Sequence, residues 1–178
     1  GIEKITIGTK SGNIRILHSR YKQNKQIVKI ATNSKVFILE VPLIGYFQLK
    51  NLLMAILAAS TCGLRQDKIF NKINKIKPTP GRLECVVNFK NNSNIIVDFA
   101  HTPDALEQCL IALKKQFRKE IIIVFGCGGE RDKKKRFIMG KIASKYCRKI
   151  FVTDDNPRNE NPQKIRNAII KGCKKNAV

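Results

Sequence analysis

Three short apolar runs, Ile95 to Phe99, Ile121 to Phe125 and Ile150 to Thr153, are each followed by a polar loop and then by a helix-length segment. A strand without polar alternation is one covered on both faces, and helical crossovers let successive strands run parallel. The pattern predicts an α/β fold built on a parallel sheet. Thr102 reads as a helix cap with Pro103 in the first helical position. Behind it Leu106, Cys109, Leu110, Leu113 and Phe117 repeat at helical spacing and form one apolar face. Two further helices are expected over Phe137 to Tyr146 and Pro162 to Cys173.

The first half has a different rhythm. Apolar blocks at Ile5 to Ile7, Ile14 to Leu17, Ile27 to Ile30 and Val36 to Val41 alternate with turn clusters such as Lys10-Ser11-Gly12-Asn13, which predicts antiparallel strands. An almost wholly apolar helix is expected from Phe47 to Cys62, stopped by Gly63. A second runs from Gln66 to Ile76 and ends before Pro78 and Pro80. The segment Lys77-Pro78-Thr79-Pro80-Gly81 is the expected boundary between a domain over 1–79 and another over 80–178.

Composition narrows the function. With 35 Lys and Arg against 13 Asp and Glu, the formal charge is +22. The lysines are spread along the chain among Ile and Asn, and no aromatic residues alternate with them as a base-stacking platform would. A genome-wide lysine bias explains this better than nucleic-acid binding, which is the least favoured reading. Such a charge still steers anionic substrates. No run approaches the roughly 18 apolar residues that would cross a bilayer, and none has signal-peptide flanks, so a cytoplasmic protein that does not enter the membrane is expected. The six cysteines lack any C-x-x-C spacing, which excludes the common zinc and redox motifs and fits reduced thiols.

In a parallel sheet, loops leaving the carboxyl ends of the strands share one edge, where ligands bind. Three such loops are expected here: Asp98 to Thr102, Gly126 to Asp132 and Thr153 to Arg158. The glycines of the second would let backbone amides approach a ligand, with Arg131 and Arg136 as anion-binding donors. Lys133, Lys134 and Lys135 read equally as a solvated charge run. In the third loop the Arg158 guanidinium matches a carboxylate, while Asp155 and Asn156 can accept from an ammonium. Asp-Asn-Pro is also an ordinary surface turn, and both readings stay open on residue types alone.

The motifs Leu43-Ile44-Gly45-Tyr46-Phe47-Gln48-Leu49-Lys50-Asn51, Pro80-Gly81-Arg82-Leu83-Glu84, Val97-Asp98-Phe99-Ala100-His101-Thr102-Pro103, Gly126-Cys127-Gly128-Gly129-Glu130-Arg131-Asp132, Lys135-Arg136 and Asp154-Asp155-Asn156-Pro157-Arg158 together resemble the Mur ligases, in their diaminopimelate-adding branch. The resemblance implies the end of a central ATP-binding domain followed by a truncated, Rossmann-like C-terminal α/β domain. It implies an ATP- and Mg2+-dependent amide ligase joining meso-diaminopimelate to UDP-N-acetylmuramoyl-L-alanyl-D-glutamate through an acyl phosphate. It assigns Asn51, Arg82, Asp98 and His101 to ATP, and Arg131, Asp155, Asn156, Pro157 and Arg158 to diaminopimelate. Arg158 would read the distal carboxylate that lysine lacks, which disfavours a lysine-adding enzyme. Gln48, Tyr46, Phe99 and Glu130 depart from the residues usual in the family. The family's phosphate-cradling loop G-T-x-G-K-T, its magnesium-binding residues and its modified lysine lie upstream of the matched region, and Gly8-Thr9-Lys10-Ser11-Gly12 is only a faint echo of that loop. A Gly-x-Gly-His-Glu segment would follow. The expectation is a chain inactive on its own, either part of a ligase or a non-catalytic remnant.

Overall fold

The computed structural model describes residues 4–91, 93–173 and 177. Packing divides the chain into two compact units, Gly1–Asp98 and Phe99–Val178. The proline segment 77–81 therefore lies inside the first unit. The chain beyond it forms the hairpin of β5 (Glu84–Asn88) and β6 (Asn94–Val97), and Asn24 Nδ2 reaches Cys85 Sγ at 3.3 Å within the same unit.

The first unit is a four-stranded sheet in the order β1 (Ile7–Gly8), β2 (Ile14–Lys22), β3 (Lys25–Thr32), β4 (Val36–Val41). β2, β3 and β4 are antiparallel as expected, whereas β1 pairs with β2 in parallel, Ile7 opposite Ile14. Asn13 and Ile14 both donate to the Thr6 carbonyl, which folds the intervening turn back on itself. The Gly8–Gly12 turn thus leads into a strand rather than a helix N-terminus. Alternate residues Ile14, Ile16, Val28, Ile30, Leu39 and Val41 point to one face. Against it lies α1 (Tyr46–Thr61), whose buried stripe is Leu49, Leu53, Ile56 and Leu57, each contributing about 1.5–3 kcal/mol by burial. The helix stops as expected at Gly63, which has φ 91. Below it the single helix expected over 66–76 is instead α2 (Gln66–Phe70) and a 3-10 turn (Ile73–Lys75). Tightening the chain there puts both Phe70 and Ile73 into the core.

The second unit holds α3 (Pro103–Phe117), β7 (Ile122–Phe125), α4 (Lys134–Tyr146), β8 (Lys149–Val152) and α5 (Pro162–Ile170). β7 and β8 are parallel, Ile123 opposite Ile150. α3 is capped as expected: the Thr102 hydroxyl accepts from the Ala105 amide at 3.3 Å. Asn161 caps α5 by accepting from the Gln163 and Lys164 amides. The core gathers Leu106, Leu110, Met139, Ala143, Ile150, Ile165 and Ile169.

One expectation about the sheet fails. β6 pairs antiparallel with β5, and among the described residues it has no place in the β7–β8 sheet. A four-residue apolar run looks alike in either setting, and the nearby Glu84–Asn88 segment offered a hairpin partner that the sequence pattern did not signal. The shared-edge geometry consequently holds for two loops, those after β7 and β8, and not for the loop after β6.

Candidate functional site

Because β7 and β8 are parallel neighbours, the loops 126–133 and 153–161 emerge side by side. Thr153 N donates to Phe125 O at 3.0 Å, carrying the ladder one step past the strands. Beyond it Gly129 N donates to Asn156 O at 2.8 Å, and Arg158 Nη1 donates to Gly129 O at 2.7 Å. The glycines make this contact possible. A Cβ on Gly126 would lie 3.0 Å from Asp155 N, one on Gly129 would lie 2.6 Å from the Pro157 carbonyl carbon, and one on Gly128 would lie 3.0 Å from Arg158 Nη1. The close backbone approach expected toward a ligand is thus spent on the neighbouring loop.

Two non-glycine residues here adopt the left-handed region, Glu130 at φ 52 and Arg158 at φ 51, at a cost of about 1–2 kcal/mol each. Strain of this kind persists where surrounding bonds over-determine it. Arg158 is held by its side-chain bond to Gly129 O and by its amide, which donates to Asn156 Oδ1 at 3.3 Å. Glu130 N donates to Glu160 Oε1 at 2.6 Å, and Glu130 Oε1 accepts from Asn159 Nδ2 at 2.8 Å.

Arg131, Asp155, Asn156 and Arg158 are exposed around this junction and Pro157 is half-buried. The structure thus brings the expected diaminopimelate set together within one unit. Two cations and a short carboxylate beside an amide are a donor set suited to an amino acid carrying a second carboxylate.

Arg136 is a correction. It is only 3% exposed, and its guanidinium faces inward to Glu160, with Nη1–Oε2 at 2.9 Å and Nη2–Oε1 at 3.0 Å. Nη2 also donates to Gly128 O at 3.2 Å. Burial and a committed carboxylate remove it as an anion donor for a ligand. The Arg136 guanidinium and the Glu130 amide hold the Glu160 carboxyl down at about 2. Nothing in the sequence pattern marked Glu160. Lys135 also leaves the expected solvated run: it is half-buried and its Nζ donates to His101 O at 2.8 Å. Cys127, within the glycine loop, is buried with Sγ 3.8 Å from Met139 Sδ, and desolvation raises its thiol.

The residues expected to face ATP divide between the units. His101 lies in the second, exposed, its Nδ1 3.3 Å from Phe99 O. Asn51, Arg82 and Asp98 lie in the first. Asn51 is exposed one turn along α1 from Gln48, whose Nε2 donates to Arg82 O at 2.9 Å. Arg82 N donates to Thr79 O at 3.1 Å, and Leu83 N donates to Asp98 Oδ2 at 2.8 Å. Leu83 is buried with φ 46. The backbone of Arg82 is therefore pinned on both sides while its side chain is exposed. Among the described residues no group of three or more His, Cys, Asp or Glu is placed to hold a metal ion, and no helix is long and apolar enough to cross a membrane.

Comparison with known proteins gives this geometry a family. The chain is 42% identical over 176 residues to the UDP-N-acetylmuramoyl-L-alanyl-D-glutamate–2,6-diaminopimelate ligase of Rickettsia conorii, covering 98% of the chain and 36% of that protein. It thus spans about a third of the length of the curated relatives it matches. A solved UDP-N-acetylmuramoyl-L-alanyl-D-glutamate–2,6-diaminopimelate ligase superposes with a TM-score of 0.66 at 31% identity, over 96% of this chain and 35% of that one. Folylpolyglutamate synthase of Mycobacterium tuberculosis, solved with ADP, shares the fold with a TM-score of 0.75 at 17% identity, over 96% of this chain and 38% of that one. The family model described as Mur ligase, glutamate ligase domain, matches residues 81–178, more than half of the chain, and the chain therefore belongs to the Mur ligase family.

Proposed function

We propose that the chain is part of an ATP-dependent ligase that joins meso-diaminopimelate to UDP-N-acetylmuramoyl-L-alanyl-D-glutamate in peptidoglycan synthesis. In this reading residues 1–79 close the central ATP-binding domain and residues 80–178 open the C-terminal ligase domain, the hairpin β5–β6 belonging by sequence to the second. The single observation that carries the reading is the junction of the two loops, where Arg158 in a left-handed conformation is anchored on Gly129 O at 2.7 Å. An arginine fixed there, beside Asp155 and Asn156 and on Gly129 of the loop that carries Arg131 two residues further on, meets the needs of a ligand with ammonium and carboxylate groups at both ends.

Arg158 would pair with the distal carboxylate of diaminopimelate, Asp155 and Asn156 would accept from its ammonium, and Pro157 would stiffen the turn between them. Arg131 would attract the anionic partner. Asn51, Arg82, Asp98 and His101 would contact ATP, Arg82 toward phosphate, Asp98 toward ribose and Asn51 toward adenine. ATP supplies the phosphoryl group that activates the D-glutamate carboxylate; the residues described here orient and neutralise. Mg2+ is the metal this reading implies, and among the described residues no group of three or more His, Cys, Asp or Glu is placed to hold it. A cytoplasmic location fits this reading, and no helix among the described residues is long and apolar enough to cross a membrane.

The test is titration of the isotope-labelled chain with meso-diaminopimelate and, separately, with L-lysine, followed by amide resonances. Shifts at Gly128, Gly129, Glu130 and Arg158 with meso-diaminopimelate, and smaller ones with lysine, are expected. Equal responses to the two amino acids, or none at these loops, would contradict the reading.

A further inference from the structure

The ion pair behind the loops has a role that neither the fold nor the motifs assign. Arg136 sits in the first turn of α4 and Glu160 at the end of the 153–160 loop, 24 residues apart. The two parallel contacts, 2.9 and 3.0 Å, are those of an arginine fork on a carboxylate. Each partner then reaches across to the glycine loop. Arg136 Nη2 holds the Gly128 carbonyl at 3.2 Å, and Glu160 Oε1 holds the Glu130 amide at 2.6 Å. Glu160 N is itself held by Pro157 O at 3.0 Å. The pair therefore grips one loop on both sides of Gly129 and is tied to the turn that carries Arg158.

We infer that Arg136 and Glu160 are positioning residues, a half-buried brace that sets the spacing between the two loops and thereby fixes where Arg158 presents its guanidinium. The inference rests on the diaminopimelate reading of Arg158. A hydrophobic pair would fill the same space with no desolvation penalty, but it could not bind a carbonyl and an amide of a second loop. Lysine at 136 would keep the charge and lose the fork.

The experiment uses the 178-residue chain with Glu160→Gln and Arg136→Lys, and reads two quantities. The first is amide hydrogen exchange at Gly129 and Glu130, compared with core amides at Ala143 and Ile150. The second is the ratio of the Kd values for L-lysine and meso-diaminopimelate. Both variants are expected to speed exchange at Gly129 and Glu130 more than at Ala143 and Ile150, and to shrink the ratio toward one. A misplacement of about 1 Å is worth up to roughly 100-fold. Unchanged exchange at Gly129 and Glu130 overturns the brace. Equal acceleration throughout the unit, in Arg136→Lys as well, overturns it as a positioning device, because the pair then serves stability alone. Local acceleration in a chain whose wild type does not distinguish the two amino acids supports the brace and removes the diaminopimelate reading, so the two ideas fail separately.

Discussion

Replacing Gly129 by alanine adds one methyl group at the point where the two loops touch. That methyl would lie 2.6 Å from the Pro157 carbonyl carbon, nearer still to its oxygen, and 3.3 Å from Glu160 Cβ. Ordinary contact begins near 3.4 Å, and the obstacle is backbone, so the loops must separate by close to 1 Å or more. Overpacking of this sort costs about 1–3 kcal/mol. Separation also breaks the 2.8 Å bond from Gly129 N to Asn156 O, worth a further 0.5–1.5 kcal/mol or so. The sum is about 1.5–4.5 kcal/mol, or roughly 10- to 2000-fold in an opening equilibrium. Native-state amide exchange at Ala143 and Ile150, in the core of the second unit, reads this directly. Gly63→Ala is the comparison, since nothing lies within 4 Å of its Cβ position and only its φ of 91 resists substitution. Core exchange in Gly129→Ala indistinguishable from wild type would show that the loops do not meet as described.

Acidification should loosen the same junction. Glu160, held at about 2 against an ordinary 4.5, has its folded value below its unfolded one, so its stabilising effect is complete above about pH 4.5 and fades as the pH falls toward 2. Protection of the Glu130 amide should follow that window, and in Glu160→Gln it should be flat across it. Thiol labelling at neutral pH should modify exposed Cys62 first, while Cys147, pushed up to about 11 by burial, reacts only after unfolding; mass spectrometry of partly labelled protein decides the order. Leu53→Ala, at a fully buried position of α1, should lower the stability of the first unit by about 2–5 kcal/mol, read from exchange in β2 and β3.

Local signals were legible where the physics was local. The Thr102-Pro103 start of α3 and the β4 span are as the sequence indicates, since a cap and a strand bounded by turns need no distant partner. The partner of β6 was not legible, because an apolar run specifies burial and not which strand lies beside it. The extension of α4 back to Lys134 depends on Asp132 Oδ1 accepting from the Lys134 amide, in a stretch that reads as a charge run. Within the site, the exposed residues announced themselves by type and position. Glu160 did not, and Arg136 reads in sequence as a donor for a ligand; only the folded chain brings the two to 2.9 Å. The loop's glycines signal backbone freedom in sequence, but their use, packing backbone on backbone, is a property of the neighbouring loop.

On the proposed function, the loop junction selects an amino acid with a distal carboxylate for ligation. The most direct measurement places Arg158→Ala beside wild type in the complete ligase polypeptide, with ATP and UDP-N-acetylmuramoyl-L-alanyl-D-glutamate supplied, and compares kcat/KM for meso-diaminopimelate and L-lysine. The expected result is a strong wild-type preference for meso-diaminopimelate that falls by roughly 10- to 1000-fold in the variant, in line with loss of a charge-assisted bidentate contact, with the KM for ATP unchanged. A wild type that uses lysine equally well, or a variant that retains the full preference, would contradict it.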